Sequence, residues 1–132
     1  MAKRDLVNNV DVVESLAPAS RTAAGNGTGV DLRGFESATV IIETGAAGGT
    51  TPSFTFEVQE SDDDSTYTAV AAVDLMGDDE PVVTAAGAPV KIGYKGTKRY
   101  LRTAITTVSG TSPTLVCASS VVRGHATLAP VA

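Results

Sequence analysis

In this chain of 132 residues, the residue types that could do chemistry are few: one His, one Cys, a Gly-rich run and two acidic clusters. Nucleophilic catalysis would have to use His125, the single imidazole, with a serine or with Cys117. A catalytic base needs a fixed rotamer and an orienting partner, and His125 follows Gly124 at the edge of a small-residue tail. Cys117 alternates with Leu115 and Val121 and reads as a small buried hydrophobe. No Gly-x-Ser-x-Gly or related nucleophile signature occurs. The sequence predicts no enzyme.

Metal and phosphate chemistry fare no better. One Cys with one His cannot assemble a usual zinc site, and a lone Cys forms no internal disulfide. Glu60, Asp62, Asp63 and Asp64 offer oxygen ligands for a hard cation, but without the alternating ligands, central Gly and distant Glu of an EF-hand. They read as the solvated turn of a hairpin, and Asp78-Asp79-Glu80 reads as a solvent-facing loop. Gly25-Asn26-Gly27-Thr28-Gly29 lacks the helix and the Gly-Lys-Ser/Thr of a phosphate cradle, so it reads as a tight turn using positive φ. No catalytic, metal-binding or cofactor-binding residue is expected.

Charge adds one further feature. Lys91, Lys95, Lys98, Arg99 and Arg102 put five of the ten basic residues into a short stretch interleaved with Tyr94 and Tyr100. Such a pattern can mark nucleic-acid binding, but the net charge of −5 opposes it. The better reading is a salt-bridged face between this segment and the acidic segments, within one subunit or between neighbours. The runs Val40-Ile41-Ile42 and Val70-Ala71-Ala72-Val73 are far too short to span a membrane as a helix. Asp5, Asn8, Asn9 and Asp11 interrupt any signal-peptide apolar region.

The elements that would position these groups are short strands. Ala38, Val40 and Ile42 share one face of a strand over Ser37–Glu43, and Phe54, Phe56 and Val58 alternate with polar residues in another. A Gly/Ala/Thr loop over 45–52 separates them. Ser61–Ser65 turns that second strand into Tyr67–Val70 as a hairpin, and a short strand is possible at Val82-Val83. Lys91–Tyr94 and Arg99–Val108 read as paired strands, and Thr114–Arg123 as a strand apolar on both faces. The expected fold is all-β, a single antiparallel β-sandwich (jelly-roll or Ig-like) of about eight short strands. Its core is expected to hold Phe54, Phe56, Val58, Val40, Ile42, Leu101, Ile105 and Leu115. Residues 1–19 read as an N-terminal arm or edge strand, residues 20–124 as the sandwich and residues 125–132 as a tail.

Several segments together resemble a known group. Ile92-Gly93-Tyr94-Lys95-Gly96-Thr97-Lys98-Arg99-Tyr100-Leu101-Arg102 is the longest. With it go Asp31-Leu32-Arg33-Gly34-Phe35-Glu36-Ser37, Gln59-Glu60-Ser61-Asp62-Asp63, Asp74-Leu75-Met76-Gly77 and the Gly124-His125-Ala126 ending. Their order and spacing, from the opening Met1-Ala2-Lys3-Arg4-Asp5-Leu6 onward, resemble small virion structural proteins of tailed bacteriophages encoded near the major capsid gene.

The resemblance implies a head component made in the host cytoplasm, without catalytic or ligand residues. A decoration or cement protein on the outer head surface is the first expectation, with the major capsid protein as partner and a homo-oligomer on the virion. A head–tail connector or tail ring is the second. A host-directed carbohydrate-binding sandwich is the third, weakened by the scarcity of aromatics for sugar stacking. Candidate contact residues are Lys3, Arg4, Leu6 and Val10 in the arm, Lys95, Lys98, Arg99 and Arg102 in the basic segment, and Asp62, Asp63, Asp64, Asp78, Asp79 and Glu80 in the acidic ones. Neither nucleic acid nor membrane is expected as a partner.

Overall fold

The inward alternation of Ala38, Val40 and Ile42 resumes at Phe54, Phe56 and Val58, and the chain stays extended in between. The computed structural model, which describes residues 5–127, carries both segments in one strand, β4 (Phe35–Ser61). The segments Arg99–Val108 and Thr114–Arg123 merge in the same way into β9 (Tyr100–Ala126). These two strands of 27 residues pair antiparallel along their whole length, from Phe35↔Ala126 to Ser61↔Tyr100. Among the described residues the chain has nine antiparallel strands against the eight or so expected, but two of them are long where pairs of short ones were read. Gly, Ala and Thr carry too weak a period to show that a strand continues through them.

The paired ribbon does not run straight. Register slips between Thr44 and Ala47, Gly48 and Thr50, and Thr50 and Ser53 mark where it folds over. Gly49 (φ 94°) and Gly110 (φ 109°) supply left-handed backbone there, joined by Thr51 and Ser112. One contact proves the fold-over. Thr103 Oγ1 and Ser119 Oγ lie 2.7 Å apart although both belong to β9, 16 residues apart. An unbent strand would hold them about 53 Å apart.

Folding the ribbon makes two layers from one hydrogen-bonded sheet. The first layer runs β1 (Asp11–Arg21), the second half of β9, the first half of β4, β8 (Val90–Tyr94) and β6 (Leu75–Met76). The second layer centres on the other halves of β9 and β4. There β2 (Gly25–Asn26) and β3 (Val30–Asp31) flank β9, while β5 (Thr68–Ala69) and β7 (Val82–Val83) flank β4. Every pairing is antiparallel. The result is an all-β, sandwich-like fold.

One pairing and one turn differ from expectation. Lys91–Tyr94 pairs with β4 and β6, not with Arg99–Val108, because Lys95–Arg99 carries the chain from one layer to the other. Gly25–Gly29 is not a positive-φ turn, since none of its glycines has positive φ. Gly27 is required by close approach instead. A Cβ there would sit 2.5 Å from both Ser15 Oγ and Thr103 O. β1 begins within the stretch read as an arm and runs on to Arg21, lying along β9 and sending Leu16 into the core.

The interior is apolar with one polar seam. All eight expected core residues are buried, each 2% exposed or less, and Cys117 lies among them. Within the seam the Thr103 amide donates to Ser15 Oγ (2.9 Å), and Ser15 Oγ donates to the Thr28 carbonyl (2.9 Å). With the Thr103–Ser119 pair, these bonds satisfy the hydroxyls that the two layers trap between them.

Candidate functional site

Two charged knots form where the layers meet β8 and the start of β9. The first is built on Asp31 at the end of β3. Arg99 donates to it through Nε (3.0 Å to Oδ1) and Nη2 (2.8 Å to Oδ2), a bidentate pair held in register by the Leu32 amide on the Arg99 carbonyl. Arg123 comes from the facing layer. It donates to the Asp31 carbonyl (2.7 Å), bonds Asp11, and lies 4.4 Å from the centre of the Phe35 ring.

Arg99, with help from the Arg33 amide, holds the Asp31 carboxyl down at about 2. A carboxylate with a depressed folded-state pKa adds stability above its unfolded value, and that stability disappears as pH falls through the folded value. The window here is pH about 4 down to about 2. Asp31 is 40% exposed at its side chain, so solvent screens the pair. We expect Asp31→Asn to flatten the acid limb of a stability–pH curve in that window by less than about 1 kcal/mol. An unchanged limb would show that the pair contributes nothing to folding.

The second knot gathers the Glu60–Asp64 turn. Tyr94 donates to Glu60 Oε1 (2.7 Å) and accepts from the Lys98 amide (3.1 Å), while Lys98 Nζ reaches Asp62 Oδ2 at 2.7 Å. Burial, then the Glu60 carboxylate, push the Tyr94 phenol well above its ordinary value. Arg102 bonds Gln59 (2.8 Å) and lies 3.9 Å above the Tyr67 ring, whose hydroxyl donates to Asp64. Asp63 accepts the amides of Ser65 and Thr66 and the Ser61 hydroxyl, which hold its carboxyl low. Each carboxylate of this turn is engaged inside the chain. No cluster of metal-ligating side chains occurs among the described residues.

Between the knots lies an open cleft of about 320 Å³, with Arg33, Phe35 and Glu36 on one wall and Tyr94, Lys98 and Arg99 on the other. The two longest resembling segments, far apart in sequence, thus face each other across one surface. At its rim Ser37 Oγ and His125 Nδ1 are 2.7 Å apart. Among the described residues this is the one side-chain hydrogen bond that His125 makes.

Of the contact residues expected from sequence, Lys98 and Asp62 meet each other. Arg99 meets Asp31 instead of an acidic cluster, and Arg102 packs on Tyr67. Asp78, Asp79 and Glu80 form a separate exposed turn, and Lys95 is exposed with no ion pair among the described residues. Leu6 is exposed, Val10 is half-buried ahead of β1, and Lys3 and Arg4 lie outside the described residues. Sequence reasoning missed Asp31, Arg33, Phe35 and Arg123. The first three lie within a resembling segment, which was the available signal.

The sequence matches no protein-family model and no curated protein. Among solved structures it is similar to the PBSX exported protein XepA, with a TM-score of 0.57 and 20% identity. The likeness is one of fold. It takes in all of this chain but 42% of that one, so the chain spans less than half the length of that protein.

Proposed function

We propose that this chain is a non-enzymatic structural protein of a bacteriophage virion, a decoration protein that binds the assembled head and bridges adjacent capsid subunits. The observation that carries this reading is the convergence of the segments Asp31–Ser37 and Ile92–Arg102 on one exposed cleft. These are the two longest of the segments that resemble phage virion proteins, and together they line one surface. The fold likeness to a protein described as exported agrees with a component that leaves the cell with the particle. A β-sandwich whose surface cations Lys98 and Arg99 are already paired within the chain suits a part that docks without changing shape.

The mechanism is mass action. A protein that binds only the assembled lattice stabilises that lattice against separated subunits, and many weak contacts on one shell act together. Lys98 and Arg99 are already paired within the chain, so among the described residues the cationic groups on this face without an ion pair are Arg33 and Lys95, with Glu36 the unpaired acid beside them. Co-sedimentation with emptied, expanded heads tests the role of the face. The double variant Arg33→Glu/Lys95→Glu is expected to weaken attachment by about tenfold at low salt, and by less as salt screens the contact. Attachment equal to wild type at low salt would remove this cleft from the docking surface.

A further inference from the structure

The outer face of the first layer offers a second surface, independent of head binding. Glu14 on β1, Ser120 on β9, Ile41 on β4 and Lys91 on β8 are successive cross-strand partners, so their side chains stand in one outward row. Their neighbours Val40, Val121 and Ile92 are fully buried on the opposite side. The next row holds Val12, Val122 and Thr39, and ends on Met76, which covers Gly93. Val12 is 58% exposed and Met76 54%. A shallow depression of about 200 Å³ lies between Val12, Ile41 and Val122. The centre is thus bracketed by Glu14 at one end and Lys91 at the other, with Glu43 at the edge of the depression beside its cross-strand partner Ala118.

Glu14 and Lys91 cannot satisfy each other within one chain. Three strand spacings, about 14 Å, separate them, and neither makes an ion pair among the described residues. We infer that this face is a self-association surface whose occupant is a second copy of the chain. A two-fold axis parallel to the strands, midway between β9 and β4, exchanges β1 with β8 across the contact. Glu14 of each copy then faces Lys91 of the other, twice. The same operation sets small Ser120 against large Ile41, Thr39 against Val122, and Val12 against Met76. Charge and size complementarity therefore follow from one symmetry. Four strands and about three outward rows give roughly 400 Å² per copy, which is the scale of a weak contact.

Sedimentation velocity of the full chain at low salt, from about 10 μM to about 1 mM, tests this. Wild type is expected to pass from monomer to dimer within that range. Glu14→Lys and Lys91→Glu should each weaken the dimer by about tenfold, and the double variant should recover wild-type affinity within about twofold. If a reversal lowers the thermal melt, Glu14→Gln and Lys91→Gln replace it, each with a smaller loss. Wild type that stays monomeric throughout overturns the inference, even where the face becomes protected on heads. Singles that associate like wild type overturn it, and so does a double variant no better than the singles.

Discussion

Phe56→Asp is expected to leave the chain without a cooperative melt. Phe56 is fully buried in the second layer, at the point between Thr55 and Phe56 where β4 shifts register against β9. An aspartate there would bury a carboxylate among apolar side chains. Ionised or protonated, it costs several kcal/mol on top of the lost ring. Domains of this size hold only about 5–15 kcal/mol in total. Phe56→Ala is the graded form and should cost about 3–5 kcal/mol while leaving a measurable transition. Val116→Asp, on the outward face and 45% exposed, should change stability by less than about 0.5 kcal/mol. Urea unfolding followed by far-UV circular dichroism distinguishes the three. A cooperative Phe56→Asp transition near wild type would mean that the two layers do not close on this residue.

The second large effect belongs to the fold-over. Gly110→Ala is expected to destabilise by about 3 kcal/mol, since it combines left-handed strain with a collision. Its φ is 109°, and a Cβ would come 2.6 Å from the Thr51 carbonyl and 2.8 Å from the Thr50 carbonyl. Both obstacles are backbone, which cannot swing aside as a side-chain tip can. Gly49→Ala meets the same opposition from the Ser112 and Thr111 carbonyls. The two glycines serve the same bend, so the double variant should cost less than the sum of the singles. Gly87→Ala is the control. Its Cβ would meet nothing within 4 Å, so that change should be neutral or slightly stabilising. Loss at Gly110 no greater than at Gly87 would contradict a ribbon bent at that point.

These two predictions divide along what the residue pattern made legible. Alternation in Phe54–Val58 and Ala38–Ile42 identified the inner face because burial selects one side of a pleated strand, and that choice is local. The fold-over was not legible. Its glycines and threonines look like any loop, and only the register of β4 on β9 shows that the strand carries on through them. The partners of β8 were hidden for a related reason: short sequence separation suggested a hairpin with Arg99–Val108, whereas pairing with β4 buries Ile92 and Tyr94 in the other layer.

The site divides in the same way. Opposite charges in the basic and acidic segments foretold pairing, and Lys98 with Asp62 is such a pair. Arg99 with Asp31 spans 68 residues and depends on β3 lying beside β9, which no local pattern states. Arg123 joins the same knot across 92 residues. Long-range ion pairs are consequences of topology, so they become readable only once the topology is known.

The central claim is that the protein decorates assembled heads and stabilises them. Its most direct test is to count copies per virion by quantitative mass spectrometry and to heat particles with and without the protein. Decoration predicts on the order of hundreds of copies per head, and particles lacking the protein should release their contents at a lower temperature. About a dozen copies or fewer at one vertex, with head stability unchanged, would contradict it and point to a connector or tail ring.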